Sequence, residues 1–157
     1  MNVNQLEKKI SSKTKAIVPV HFTGYMTNMP ELLKISRRYK IPIVEDACQS
    51  ILANINQKNS GTWGDFGAFS LHPLKNINVW SDGGIITTNN LKYFKRLRLL
   101  RNHGLEDRDT VKICGYNSRL DTFQAVVGNW LLPKARMIAN QRVKNANYYD
   151  KHFSNIS

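Results

Sequence analysis

Lys75 stands in the run Ser70-Leu71-His72-Pro73-Leu74-Lys75-Asn76, and Ser81-Asp82-Gly83-Gly84 follows closely. Upstream, Val44 leads into Glu45-Asp46-Ala47-Cys48-Gln49. An apolar run ending in an acid, followed by a second ending in Ser…Lys, suits one kind of chemistry. A lysine amine condenses with an aldehyde while a carboxylate pairs with a protonated pyridine nitrogen, the two demands of pyridoxal phosphate (PLP). The nearby anion favours the charged pyridinium and so keeps the ring an electron sink. Spacing alone leaves the plainer reading open, since a lysine after a strand is commonly a solvated loop residue.

The elements that must position these residues alternate between strand and helix. Gln5 to Ile10 is a short helix candidate, Ala16 to Val20 a buried strand and His21 to Thr27 a loop. Asn28 caps a helix that carries Pro30 in its first turn and runs through Glu31 to Tyr39, with Leu32, Leu33 and Ile35 as its apolar face. Ile41 to Val44 is the next strand, and its end delivers Glu45 and Asp46 where α/β proteins place their chemistry. Asn56 to Gly61 is turn-rich; Phe66 to Leu71 and Gly84 to Thr88 are further strands, and Asn89 or Asn90 caps a helix through Leu100. Arg119 to Phe153 reads as mostly helical, with Phe123, Val126, Val127, Trp130 and Leu131 as an apolar stripe and Pro133 as a break or kink. The architecture is α/β with a mostly parallel sheet.

A length of 157 residues is one domain's worth, and 41% hydrophobic with 22% charged residues is an ordinary globular composition. No apolar stretch reaches the roughly 20 residues of a membrane span. Met1 to Lys15 lacks the apolar core of a signal peptide, so a reducing cytoplasm is the default. Cys48 and Cys114 form neither a disulfide framework nor, with the four histidines, a metal-ligand spacing, so no metal is expected. The net charge of +12 concentrates in Lys92 to Arg101 and Lys134 to Lys151. It invites polyanions, but no nucleic-acid motif accompanies it, and a solvated basic face or phosphate-bearing ligands account for it.

Five blocks occur in one order: Val18-Pro19-Val20-His21, Glu45-Asp46-Ala47-Cys48-Gln49, Gly64-Asp65-Phe66-Gly67-Ala68-Phe69-Ser70, the lysine segment, and Gly115-Tyr116-Asn117-Ser118-Arg119-Leu120-Asp121. Together they resemble the DegT/DnrJ/StrS family of PLP-dependent sugar aminotransferases, from near the N-terminus to about Tyr149. The resemblance implies part of a large domain of PLP-dependent transferase fold type I, with residues 1–157 forming a single partial domain that ends in long helices. Lys75 would form the Schiff base and later move the proton from the donor's α-carbon. A minority of similar proteins carry histidine there and act as dehydratases, so lysine favours transamination.

By the same resemblance Asp46 would hold the pyridine nitrogen, Glu45 pointing to the opposite side of the strand. Gln49 would sit by the cofactor ring, Ser70 would contact its phosphate, and Asn117 would reach a partner subunit's cofactor phosphate across a dimer interface. Each has a plainer alternative: a helix N-cap for Asp46, a polar surface residue for Gln49, a self-satisfied strand end for Ser70 and an ordinary turn for Asn117. Arg119 reads as a helix start or interface residue. His21 and His72 flank the pocket as acid–base candidates or as hydrogen-bonded structural residues, and His103 shares that choice. Glycine is usual in the family where Ser81 stands, which bears on the backbone angles of the turn at Asp82 to Gly84.

The implied activity is transfer of an amino group, with glutamate as donor, to a keto-sugar linked to a nucleotide, for polysaccharide or glycoconjugate synthesis. The implied partners are a second copy or a complementing chain, with no nucleic acid or membrane. Family members are longer, and this chain corresponds to the middle of one. The N-terminal phosphate cradle and the C-terminal small domain are then expected to be absent, leaving a sheet edge and apolar face uncovered. The alternative is a non-catalytic fragment, or one piece of a split enzyme, inactive and poorly stable without its partner chain.

Overall fold

Asn28 opens the first helix by accepting the Glu31 amide on its side chain at 3.3 Å, with Pro30 in the first turn. The helix, α1, runs Met29–Tyr39 and turns Met29, Leu32 and Ser36 inward. It stops at Lys40, whose φ of 53° is left-handed and whose amide returns to the Ser36 carbonyl. The structure is a computed structural model and describes residues 1–154 and 156.

Past α1 the chain enters β1 (Val44–Asp46), then a small antiparallel hairpin of β2 (Asn54–Ile55) and β3 (Lys58–Asn59). Asn56 and Gln57 turn that hairpin with φ of 50° and 62°, the paired left-handed residues of a tight β-turn. Next come β4 (Phe66–Ser70) and β5 (Gly84–Thr87), and the sheet order is β1-β4-β5. β1 and β4 are parallel with Asp46 opposite Ala68, whereas β5 returns antiparallel with Gly84 opposite Ser70.

The stretch expected as a strand at Ala16 to Val20 contributes two isolated parallel bridges, Ile17 to Ile43 and Val20 to Asp46. Pro19 lies between them and has no amide to donate, although its carbonyl accepts from Asp46 at 2.9 Å. Gln5 to Ile10 likewise forms no α-helix but two 3₁₀ turns, Val3–Gln5 and Glu7–Lys9. The later helices are α2 (Leu91–Leu100), capped by Asn90, and α3 (Thr122–Leu131), opened by a capping box of Asp121 and Gln124. A 3₁₀ turn at Leu132–Lys134, holding Pro133, leads into α4 (Ala135–Phe153). None of these helices is long and apolar enough to cross a membrane among the described residues.

Two apolar clusters carry the fold. One joins Ile17, Met26, Met29, Leu32, Ile41 and Ile43 beneath α1; the other joins Leu71, Ile77, Val79 and Ala135 under the lysine loop. The stripe read on α3 divides: Val127 is buried, but Phe123, Val126 and Trp130 are each more than 60% exposed.

Glu45 is the buried polar centre. Its Oε1 accepts the amides of Trp63 (2.6 Å) and Gly64 (2.7 Å), and its Oε2 accepts the Gly61 amide (2.8 Å) and meets His21 Nε2 at 3.0 Å. His21 Nδ1 accepts the Thr27 amide at 3.3 Å, so the ring proton sits on Nε2 and donates to Glu45. Gly61 has φ of +72°, and a Cβ there would overlap the Phe69 ring, so a side chain would meet both strain and a clash. Burial pushes the Glu45 carboxyl up, but the His21 and three amide hydrogen bonds outweigh it and hold it below the usual carboxylate range.

Replacing Glu45 by Gln sets an NH₂ group against these donors and lowers stability by about 3 kcal/mol at neutral pH. Because the folded carboxyl is depressed, its stabilisation is full above the ordinary carboxylate pKa and is lost as pH falls through the lowered folded value. Urea unfolding of both proteins across the acid range therefore shows the gap between them closing. A gap independent of pH contradicts the assignment.

Candidate active site

Alternation along β1 puts Glu45 inside and leaves Asp46 half-buried at the strand's carboxyl end. Asp46 Oδ1 accepts the Cys48 amide at 3.1 Å, which bends the chain so that Cys48 and Gln49 turn outward. The Gln49 side-chain oxygen accepts the Thr23 amide at 3.0 Å, and Thr23 holds a left-handed φ of 51° beside Gly24. The loop His21 to Thr27 is thereby tied to the segment after β1.

From the neighbouring strand β4, Ser70 Oγ accepts the His72 amide at 3.3 Å. The chain then makes a turn in which the Lys75 amide donates to the His72 carbonyl at 2.8 Å. The loop is pinned at its base by Leu71 N–H to Gly83 C=O (2.8 Å) and Val79 N–H to Leu71 C=O (3.1 Å). Leu71, Ile77 and Val79 are buried beneath it, so Lys75 is presented on a packed platform. Trp80, rather than Ser81, takes the left-handed φ (66°) at the far end of the loop.

Gln49, Ser70 and Lys75 line one cleft of about 710 Å³, together with Thr23, Cys48 and His72. Asp46 stands behind Cys48, and the charges of Asp46 and Lys75 both bear on its thiol. Burial pushes the Cys48 thiol up and Asp46 pushes it further, while Lys75 and the Ser70 amide oppose them. Three of the five residues singled out from the sequence thus line one cleft, and a fourth, Asp46, stands behind its wall at Cys48.

Asn117 does not join them. It is exposed, its backbone bridges to Asn102, and its side-chain oxygen accepts from Arg119 Nε at 3.3 Å. Arg119 also donates to Asn102 Oδ1 at 3.1 Å and precedes α3 instead of starting it. A larger groove of about 1020 Å³ runs along β5 and α2 past Arg98, Arg101 and Arg119, but none of the five lines it. Gln49, Ser70 and Lys75 line the smaller cleft instead. Of the two readings of His21, the hydrogen-bonded structural one holds: it is buried against Glu45 and lines no part of the cleft, whereas His72 does face it. Thr23 and Cys48 escaped the sequence reading of the site; the Thr-Gly pair in a loop before α1 was the available signal for the first. No cluster of metal-binding side chains occurs among the described residues.

Residues 1–157 match the DegT/DnrJ/EryC1/StrS aminotransferase family. The chain is similar to a UDP-N-acetyl-3-dehydro-alpha-D-glucosamine 3-aminotransferase of Acidithiobacillus ferrooxidans, 36% identical over 97% of this chain and 41% of the relative. Among solved structures, S. venezuelae DesV in complex with a ketimine intermediate superposes with a TM-score of 0.93 at 32% identity, over 100% of this chain and 42% of that one. An E coli GDP-4-keto-6-deoxy-D-mannose-3-dehydratase with bound hydrated PLP gives 0.86 at 27% identity, over 99% and 45%. The chain spans about two-fifths of the length of the curated relatives it matches.

The electrostatics at Cys48 are directly measurable. Cys114 is exposed and alkylates first with iodoacetamide at neutral pH, with Cys48 several-fold slower. Asp46→Asn removes the charge that raises the Cys48 thiol, so alkylation of Cys48 quickens; mass spectrometry of the two peptides reads both rates. An unchanged Cys48 rate would separate Asp46 from the cleft.

Proposed function

The chain belongs to the DegT/DnrJ/EryC1/StrS aminotransferase family, and from that premise we propose that it carries the PLP-binding centre of an enzyme that aminates a keto-sugar attached to a nucleotide, with glutamate as the amino donor. The observation that carries this is the convergence of Lys75, Ser70 and Gln49 on one cleft with Asp46 behind it. The cleft volume, about 710 Å³, suits a small cofactor and part of a substrate. The donor set also fits PLP: an amine for its aldehyde, a hydroxyl and loop amides for its phosphate, an amide side chain for its ring and a carboxylate for its pyridine nitrogen.

When bound, PLP supplies the electron sink that withdraws charge from the amino donor's α-carbon. The protein's residues do the rest. Lys75 Nζ would hold the cofactor and, as a free amine, would take and return the α-proton. Asp46 holds a proton on the ring nitrogen by charge. Gln49, fixed by the Thr23 amide, would lie beside the ring, and the Ser70 hydroxyl would contact the phosphate. The neighbouring Lys75 turn and Ser70 lie on one continuous segment, so a single loop holds both ends of the ligand.

The oligomeric partner is a second copy of the chain or a complementing chain. Phe123, Val126 and Trp130 expose an apolar face on α3, and Asn117 stands exposed outside its own cleft, available to another subunit. Trp130→Glu shifts the chain toward monomer in sedimentation velocity if α3 forms that contact; unchanged association would place the interface elsewhere.

PLP added to the purified chain gives a visible band that borohydride fixes as a covalent adduct on Lys75, and Lys75→Ala abolishes both. Asp46→Asn retains the adduct but weakens cofactor retention about tenfold or more, since it removes a charge-assisted contact. A correctly folded chain that gives no Lys75 adduct contradicts the proposal and leaves the non-catalytic reading.

A further inference from the structure

The turn that presents Lys75 is His72-Pro73-Leu74-Lys75. Its closing bond is Lys75 N–H to the His72 carbonyl, at 2.8 Å. Pro73 sits at the second position, where its ring sets φ and it has no amide to place. The one interior amide left is that of Leu74, whose side chain is 86% exposed. That amide donates to His72 Nδ1 at 3.2 Å. The imidazole therefore closes the inside of the turn while the His72 carbonyl closes the outside, and the His72 amide is itself held by Ser70 Oγ.

Accepting at Nδ1 places the ring proton on Nε2. Nε2 lies 3.8 Å from Asp82 Oδ1, across the mouth of the lysine loop. The Asp82 carbonyl in turn accepts from Gln124 Nε2 at 2.7 Å, which ties that side of the loop to α3. The ring is thus bonded to the lysine turn and faces, without a hydrogen bond, the closing end of the loop.

We propose that His72 is a positioning residue for Lys75: its ring nitrogen Nδ1, accepting the Leu74 amide, locks the turn that presents the lysine amine, and the exposed Asp82 carboxylate, beyond hydrogen-bond reach of Nε2, adds only a nearby negative charge. The role of Lys75 as the PLP lysine rests on the function proposed above, whereas the lock itself is a property of the turn. His72 takes no proton from substrate in this assignment; it acts through the lysine.

Asparagine can accept an amide two residues on, as His72 Nδ1 does, whereas alanine cannot. His72→Asn and His72→Ala are compared by two readouts on the full chain: hydrogen exchange of the Leu74 and Lys75 amides without ligand, and the rate at which borohydride traps PLP on Lys75. Loss of one hydrogen bond in His72→Ala speeds exchange and slows trapping by about five- to tenfold, and His72→Asn restores both toward wild type. His72→Ala indistinguishable from wild type, or His72→Asn as impaired as His72→Ala, overturns the assignment. Exchange that follows the acceptor supports the lock even if the wild-type chain traps no PLP, a failure that counts against the proposed function alone.

Discussion

Everything at the cleft depends on the carboxylate of Glu45, which gathers three backbone amides and one imidazole in a place solvent does not reach. A buried carboxylate left unpaired would be costly, so the loop Gly61 to Gly64 and the residue His21 are constrained to surround it. Those two segments flank β1 on either side. With β1 held between them its register cannot slip, and a one-residue slip would exchange Glu45 and Asp46 between core and cleft. The position of Asp46 is therefore set by its neighbour Glu45.

The lysine loop is held by different means. Leu71, Ile77 and Val79 bury their side chains beneath it, and paired backbone bonds close its base, so the loop is a packed lid on an apolar cluster and not a solvated excursion. Lys75 can then extend from a rigid base, which keeps down the entropy lost when the amine engages a ligand. The parallel pairing of β1 with β4 brings the two strand ends to the same edge, so the acid that ends one lies near the serine that ends the other and the lysine loop that follows it.

Much of the positive charge lies away from this centre. Lys92 to Arg101 falls on α2 and the groove beside β5, and Lys134 to Lys151 falls on the 3₁₀ turn and α4, most of whose length is exposed. The apolar residues of α3 share that exposure. The amphipathic pattern on α3 is real, but this chain alone covers only its Val127 side.

Local features were legible from the sequence because their causes are local. Asn28 and Asn90 cap helices through bonds to amides two or three residues away, Pro133 interrupts the last helical stretch, and strand alternation separates Glu45 from Asp46. The blocks around Asp46, Ser70 and Lys75 likewise carried the resemblance to the family that residues 1–157 match. Pro19 was visible too, although its consequence, a strand reduced to two bridges, depended on which neighbours its missing amide faced. What only the tertiary structure decided were contacts between residues far apart in the chain: His21 as the partner of Glu45, Thr23 as the anchor of Gln49, the Cys48 thiol under the charges of both Asp46 and Lys75, and Asn117 bridged to Asn102. Burial and long-range hydrogen bonds arise from how strands are laid side by side, and no local propensity or spacing encodes which donors will surround a given carboxylate.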